Sequence, residues 1–97
     1  MSQREALEAC WFALTRKEMP AIARQRGWPV HLDHCFQRIL LDNTCGRPWR
    51  EEIASPAYRN APEELLRKAI ALGEEAIAGK SDLAQLNTRS LRLRGKL

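Results

Sequence analysis

Apolar residues recur every three or four positions along most of the chain, which is the spacing of one face of an α-helix. The clearest such stripe has members one helical turn apart, at Leu32, Cys35, Phe36, Ile39 and Leu40. No stretch alternates apolar and polar residues for long enough to indicate a β-strand. The pattern therefore predicts an all-α fold, a small single-domain bundle of four main helices with one or two short helices.

Capping residues and prolines predict where the first helix begins and ends. Ser2 followed by Glu5 is a capping-box sequence, which is typical of a helix N-terminus. Pro20 lacks an N–H group and clashes with the preceding turn, so we expect the first helix to kink or end near Met19. Gly46 is the expected stop of the helix that carries the clear stripe.

The second half of the chain predicts two further helices. After an expected loop over residues 55–61, Asn60 and Glu63 are spaced as a capping pair for a helix that continues to Ala78. Gly73 lies on the apolar stripe of that helix, so we expect a second helix to approach closely there. Ser81 is the expected cap of the last helix.

Length and composition indicate one soluble domain over residues 1–97. The chain has a mass of 11.1 kDa, with 44% hydrophobic and 29% charged residues, and a chain this short can bury only one modest core. No apolar run approaches the ~18 residues of a membrane span, and the first five residues lack a signal-peptide pattern. We therefore expect a cytoplasmic protein that has no membrane partner.

The net positive charge is concentrated at the C-terminus. Residues 1–82 contain as many acidic as basic residues, whereas residues 83–97 contain four basic residues and no acidic one. This asymmetry favours a non-enzymatic regulatory or accessory module that contacts nucleic acid or another polyanion through a basic C-terminal helix over residues 82–97. The candidate contact residues are Gln85, Asn87, Arg89, Arg92, Arg94 and Lys96.

Two other binding modes are compatible with the same helix. The short turn at residues 79–81 is permissive for a helix-turn-helix arrangement of the last two helices. Alternatively, Leu91 and Leu93 with the basic stripe could dock on an acidic protein partner, without any chemistry. A homodimer would double the basic patch, and Gly73 is one position that could mark its interface.

A polar stripe on the helix with the clear apolar stripe is the alternative site, for a small enzyme or a metal-binding protein. It comprises His31, His34, Arg38 and Asp42. Arg38 and Asp42 are spaced as an i, i+4 pair, and a structural ladder through Arg38 is favoured over a catalytic one. Zinc signatures are absent, so we assign no metal ligand, no cofactor and no catalytic residue.

We expect the cysteine and aromatic residues to have structural roles. The odd number of cysteines, at Cys10, Cys35 and Cys45, argues against a disulfide framework. Cys45 lies at an expected helix C-terminus, where the helix dipole disfavours a thiolate. The larger aromatic residues are expected in the core, with a ligand box as the alternative reading; they are Trp11, Trp28, Trp49 and Tyr58.

The chain carries the string Asp33-His34-Cys35-Phe36-Gln37-Arg38-Ile39-Leu40-Leu41-Asp42-Asn43, followed by Gly46, Trp49, Pro56-Ala57-Tyr58 and Leu86-Asn87-Thr88-Arg89-Ser90-Leu91. In these residues it resembles a group of short, largely uncharacterised microbial proteins, some of which are labelled GNAT-type N-acetyltransferases. That label implies a mixed α/β fold with an Arg/Gln-x-x-Gly-x-Gly/Ala loop for acetyl-CoA. The nearest matches, at residues 24–29 and 92–97, differ at the last position, so no catalytic residue is carried over.

Overall fold

Helices account for the whole regular structure of the computed structural model, which describes residues 2–97 and leaves Met1 outside the described residues. No strand is present between Ser2 and Leu97, which confirms the predicted all-α bundle. The α-helices are α1 (Gln3–Ala13), α2 (Met19–Arg26), α3 (Asp33–Cys45), α4 (Ala57–Asn60), α5 (Glu63–Ile77) and α6 (Leu83–Leu93). A π-helical turn at Leu14–Glu18 joins α1 to α2, and a 3-10 turn occupies Trp49–Glu51.

Helix α3 is the centre of the bundle. It packs against both α5 and α6, and its inner face buries Phe36, Ile39, Leu40 and Leu41. The predicted stripe is thus correct in its middle and end but wrong at its start. Leu32 precedes the first turn as the N-cap residue and is 47% exposed, because a residue outside the helix does not share its apolar face.

The first helix does not stop at Pro20. A π-helical turn carries it into α2, and in this turn the Met19 N–H donates to the Leu14 carbonyl, five residues back. The wider turn makes room for the proline ring and absorbs the missing N–H. The buried Thr15 hydroxyl donates to the Trp11 carbonyl at 2.9 Å. The expected change near Met19 is therefore a change of helix type rather than an end.

The capping predictions are confirmed for the first helix and wrong for the last two. Ser2 Oγ accepts from the Glu5 N–H at 3.0 Å, completing the predicted capping box. Asn60 instead ends the short helix α4, which replaces the expected loop, and its side-chain amide donates to the Ala54 carbonyl. The cap of α6 is Asp82 rather than Ser81, because the Asp82 carboxylate accepts from the next two free N–H groups of the helix.

The C-terminal helix is shorter than the predicted span of residues 82–97. It ends at Leu93, and Gly95 has the left-handed φ of 72°. The Lys96 N–H then donates back to the Leu91 carbonyl at 2.8 Å, which closes the helix end with a glycine-based C-cap. Residues 94–97 therefore extend beyond the helix.

Gly73 fulfils its predicted role at a close helix contact. A Cβ atom at this position would lie 2.6 Å from Leu14 Cδ2 and 3.0 Å from Leu40 Cδ1. The absence of a side chain thus lets α5 pack tightly against α3 and the π-helical turn.

The last two helices do not form a helix-turn-helix unit. In that motif the two helices pack on each other, whereas α6 packs mainly on α3 and makes few contacts with α5. Both helices are organised by α3 rather than by the short turn between them. No helix among residues 2–97 combines the length and apolarity that a membrane crossing needs.

Candidate functional site

A cleft of about 540 Å³ opens over the polar face of α3. One wall comes from α1 and the π-helical turn, and the other from residues 49–58. Side chains of α3 form the floor. We call it the arginine cleft after its defining residues, which are Arg16, Arg38, Arg50 and Arg94, with Phe12, Trp49 and Tyr58 on its walls.

Arg38 lies on the floor of the arginine cleft and is held by neutral groups. Its Nη1 donates to Ser90 Oγ at 2.8 Å, and its Nη2 donates to Asn87 Oδ1 at 2.8 Å. No carboxylate between residues 2 and 97 forms an ion pair with it. The positive charge of Arg38 is therefore fixed in position without being neutralised, and part of its hydrogen-bonding capacity stays free.

Asp42 lies one turn further along α3 and is fully buried. Its Oδ2 accepts from Ser90 Oγ at 2.6 Å and from Arg94 Nε at 2.6 Å. Its Oδ1 accepts from Arg94 Nη2 at 3.1 Å and from the Trp49 backbone N–H at 2.9 Å. The carboxylate thus joins α3 to the end of α6 and to the 3-10 turn, and both of its oxygens are satisfied.

The expected i, i+4 pair between Arg38 and Asp42 does not form. The two side chains meet instead through Ser90, whose hydroxyl accepts from Arg38 and donates to Asp42. Tertiary partners from α6 replace the local pair because Asp42 is buried at the α3–α6 contact and a surface pair would not satisfy it. His34 lies at the mouth of the cleft, 73% exposed, with Nδ1 3.7 Å from Asp33 Oδ1.

Each wall of the cleft places a guanidinium within cation–π distance of an aromatic ring. The Arg16 guanidinium lies 3.9 Å from the centre of the Phe12 ring, and that of Arg50 lies 5.2 Å from the Trp49 ring. A stacked guanidinium uses its face for the ring and keeps its N–H edge for other partners. Arg16 also makes a long, exposed contact of 3.7 Å with Asp33, which has little energetic weight.

Two contacts close the cleft at the α4 end. The rings of Phe12 and Tyr58 meet edge to face, with 4.8 Å between their centres. Arg4 Nη2 donates to the carbonyls of Tyr58 and Arg59 at 2.7 and 3.1 Å. Helix α4 is therefore tied to α1, and the position of the Tyr58 wall does not depend on a ligand.

No acidic side chain lines the arginine cleft. Asp42 lies beneath it, and its charge is matched by Arg94. The remaining cleft arginines, Arg16, Arg38 and Arg50, lack a buried carboxylate partner. The lining of the cleft therefore contains four cationic side chains and, among residues 2–97, no anionic one.

The predicted polyanion-contact residues separate into two sets. Asn87 and Arg94 turn inward, where they hold Arg38 and Asp42. Arg89 is exposed but also donates to Asn43 Oδ1 at 3.2 Å. The outward-facing remainder is Gln85, Arg89, Arg92 and Lys96, of which the first three line a shallow depression on the outer side of α6.

The alternative site His31, His34, Arg38 and Asp42 is only partly assembled. Arg38 and His34 reach the arginine cleft and Asp42 lies below it, but His31 is absent from the lining. His31 also precedes α3, so it does not share the helical face that carries His34, Arg38 and Asp42. Within residues 2–97, no group of three or more His, Cys, Asp or Glu side chains is arranged to hold a metal ion.

The Cys45 thiol is a poor nucleophile. Burial, together with the nearby carboxylates of Glu52 and Asp42, raises its pKa to about 11. This agrees with the direction expected for its position at the C-terminus of α3. At neutral pH the thiolate fraction is very small.

The aromatic residues serve the core and the cleft together. Trp11 is buried, while Trp49 and Tyr58 are half-buried, and all three line the cleft. Trp28 lies elsewhere and packs edge to face on Phe36, with ring centres 5.9 Å apart. The core prediction is thus correct for Trp11, whereas Trp28, Trp49 and Tyr58 are only partly buried against the core. The ligand-box alternative stays open for the residues that line the cleft.

Arg16 and Arg50 were missed by the sequence reasoning. Each follows an aromatic residue at a distance that permits stacking: Arg16 four positions after Phe12 on a helix, and Arg50 directly after Trp49. That signal is weak, because many surface arginines lie near an aromatic residue in sequence. Only the fold brings these two walls together over Arg38.

Comparison with the profiles of known protein families, with curated protein sequences and with solved structures finds no significant match to this chain. The resemblance to short microbial proteins therefore stays a prediction.

Proposed function

We propose that this protein is a small binding module that holds an anionic ligand in the arginine cleft. The observation that carries the proposal is the set of four arginines around one cleft that has no acidic lining residue. Arginine is the preferred residue for planar recognition of carboxylate and phosphate. A ligand with a negative group would meet Arg38 on the floor and the N–H edges of Arg16 and Arg50 on the walls.

Binding is favoured over catalysis by what the cleft contains. Its only imidazole is that of His34, which is largely exposed, and within the described chain no carboxylate or thiol lines the cleft. Acid–base chemistry needs a titratable group held close to its partner. The residues that are firmly held, Arg38 and Arg94, are suited to bind charge rather than to transfer protons.

The test is a titration of the ¹⁵N-labelled protein with phenyl phosphate, followed by NMR shifts of backbone and arginine side-chain signals. We expect saturable shifts at Arg16, Arg38 and Arg50, and none with benzylamine, which has a similar ring and the opposite charge. Shifts that do not saturate, or equal shifts with benzylamine, would overturn the proposal.

Charge variants test whether the cleft itself is responsible. Arg16→Gln and Arg50→Gln remove exposed wall charges without touching the buried Asp42 network. Each is expected to weaken phenyl phosphate binding about tenfold, since a hydrogen bond to a charged group contributes about 1.5 kcal/mol at the low end of its range. The matched control Arg24→Gln removes the same charge from the exposed surface of α2, outside the cleft, and is expected to leave binding unchanged.

A second candidate function is polyanion binding by the outer face of α6 together with the residues that follow the helix. The observation that favours it is the exposure of Gln85, Arg89, Arg92 and Lys96 on a segment that has no acidic residue after position 82. With Arg94 engaged by Asp42, three cations remain for phosphates. Binding to duplex DNA should then show a log–log salt slope of about −3. A salt-independent signal, or one unchanged in the Arg92→Gln/Lys96→Gln variant, would reject it.

A further inference from the structure

We propose that the ligand of the arginine cleft is a planar ring joined to a phosphate, the chemistry of a nucleotide unit. This inference rests on the proposed function of the cleft and narrows its ligand class. It comes from three observations taken together: the size of the cleft, the aromatic side chains of its walls and the absence of carboxylates from its lining.

The size of the cleft indicates more than a single inorganic anion. Its volume of about 540 Å³ lies within the roughly 300–1,000 Å³ typical of sites for whole small molecules. An inorganic phosphate placed against Arg38 would leave most of that space and the aromatic walls unused. The ligand that matches the whole cleft therefore has a sizeable uncharged part beside its anionic group.

The walls define the shape of that uncharged part. Trp49 and Tyr58 are half-buried, and both line the cleft. Flat rings stack on such surfaces, and stacking of one base on an aromatic side chain contributes about 1–3 kcal/mol. The guanidinium groups of Arg16 and Arg50, which lie 3.9 and 5.2 Å from the centres of the Phe12 and Trp49 rings, place positive charge beside these aromatic surfaces.

Hydrogen-bonding capacity in the cleft suits a phosphate and a ring with polar edges. Arg38 offers its unused N–H groups on the floor. Gln37 donates its amide N–H to the Thr15 hydroxyl at 3.1 Å, which fixes the side chain and leaves its carbonyl oxygen as an acceptor. A fixed acceptor beside an aromatic wall can pair with an amino group on a base.

The absence of carboxylates from the lining of the cleft limits which kinds of phosphate ligand fit it. A nucleoside triphosphate is normally bound with Mg²⁺, which proteins hold through one or two carboxylates. Of the nearby acids, Asp42 has both oxygens engaged by Arg94, Ser90 and Trp49, and Asp33, which contacts Arg16 at 3.7 Å, is not among the lining residues. The cleft therefore fits a metal-free monophosphate, either free or as one unit of a single strand.

The experiment compares four probes by isothermal titration calorimetry in a phosphate-free buffer: AMP, adenosine, ribose 5-phosphate and inorganic phosphate. We expect AMP to bind at least tenfold more tightly than each of the other three, because only AMP engages the ring surface and the arginines together. If ribose 5-phosphate binds as tightly as AMP, the ring makes no contribution; this inference then fails while the anion-binding function stands. If none of the phosphates binds, both fail.

Measurements at Trp49 test where the adenine ring of AMP binds. In the unmodified protein, AMP is expected to give nuclear Overhauser contacts between adenine protons and the Trp49 indole, and none to Trp28, which lies outside the cleft. Trp49→Leu is expected to weaken AMP binding about tenfold while leaving ribose 5-phosphate binding unchanged. Contacts to Trp28 alone, or an equal loss for both probes in the folded variant, would contradict the placement.

A single-stranded oligoadenylate distinguishes the two sources of the same chemistry. Binding much tighter than AMP, with a steeper salt dependence and a further loss in Arg92→Gln/Lys96→Gln, identifies a strand that continues onto the outer face of α6. Binding equal to that of AMP identifies a free nucleotide. Competition by the oligonucleotide at Trp49 is required in the first case, and strand binding that leaves Trp49 unaffected would overturn the cleft as its site.

Discussion

The buried carboxylate of Asp42 is neutralised by Arg94, 52 positions later in the chain, through contacts of 2.6 and 3.1 Å. Asp42 is fully buried, whereas the Arg94 side chain retains 25% of its exposure and borders the cleft. The same carboxylate accepts from Ser90, which in turn accepts from Arg38. One buried charge therefore sets the position of the C-terminal end of α6 and of the arginine on the cleft floor.

Loss of Arg94 should be strongly destabilising. Arg94→Met leaves the Asp42 carboxylate buried without a counter-charge, and breaking a buried pair in this way costs about 3 kcal/mol. Urea unfolding followed by circular dichroism measures the loss. The control Arg92→Met changes an exposed residue of the same helix and should stay within about 0.5 kcal/mol of the wild type. Equal stabilities of the two variants would show that the ion pair contributes nothing.

Substitution of Asp82 and of Ser81 tests which of these two residues caps α6. Asp82→Ala removes the acceptor of the Ala84 and Gln85 N–H groups and is expected to lower the free energy of unfolding by about 1 kcal/mol. Ser81→Ala loses only an exposed hydrogen bond to Glu75 and should cost less than about 0.5 kcal/mol. The same urea titration compares the two, and the reverse order would restore Ser81 as the cap.

A side chain at Gly73 should disturb the central helix contact. In Gly73→Ala the new methyl group would meet Leu14 Cδ2 at 2.6 Å, and overpacking of this kind costs about 1–3 kcal/mol. The gain of about 1 kcal/mol in helix propensity offsets part of that cost, so we expect a net loss of about 1 kcal/mol. Thermal unfolding measures it. Leu14→Val removes the clashing atom, and the double variant should lose less than the sum of the single changes.

We expect the folded protein to lose stability at high pH because of the raised pKa of the Cys45 thiol. Its folded-state pKa of about 11 exceeds the ordinary value of 9.0. Between these values the unfolded chain releases this proton while the folded chain retains it, so the free energy of unfolding falls as the pH rises. The decline should be shallower in Cys45→Ala, as measured by urea unfolding across this range. Identical slopes in both proteins would show that the thiol does not titrate differently on folding.

Thiol reactivity provides an independent check on Cys45. Cys10 is exposed and Cys45 is half-buried with a raised pKa. With limiting iodoacetamide at about pH 8, mass spectrometry should find Cys10 alkylated well before Cys45, because the thiolate is the reacting form and Cys45 holds little of it. Faster modification of Cys45 would contradict its burial at the end of α3.

Local signals in the sequence were sufficient to predict most of the fold. The helical spacing of Phe36, Ile39 and Leu40 predicted the buried face of α3, and the Ser2 capping box predicted the start of α1. Gly73 predicted a close helix approach. These features depend on residues within a few positions of one another, which is why periodicity and capping chemistry reveal them.

Other local predictions were overruled by packing. Pro20 was predicted to kink or end the first helix, but a π-helical turn continues that helix into α2. Asn60 was predicted to cap α5, but it lies at the end of the short helix α4 and donates to the Ala54 carbonyl. The choice between such arrangements depends on contacts that sequence spacing does not show.

The sequence by itself determined an all-helical chain, the main buried faces and a basic C-terminal segment. Only the tertiary structure decided which charges are available. In the folded protein, Arg94 forms an ion pair with the buried Asp42. Arg16, Arg38 and Arg50 lie around one cleft, although these three arginines are far apart in the chain. The physical reason is that a buried carboxylate must find a partner wherever packing supplies one, and positive potential accumulates where several helices place arginines on a shared surface.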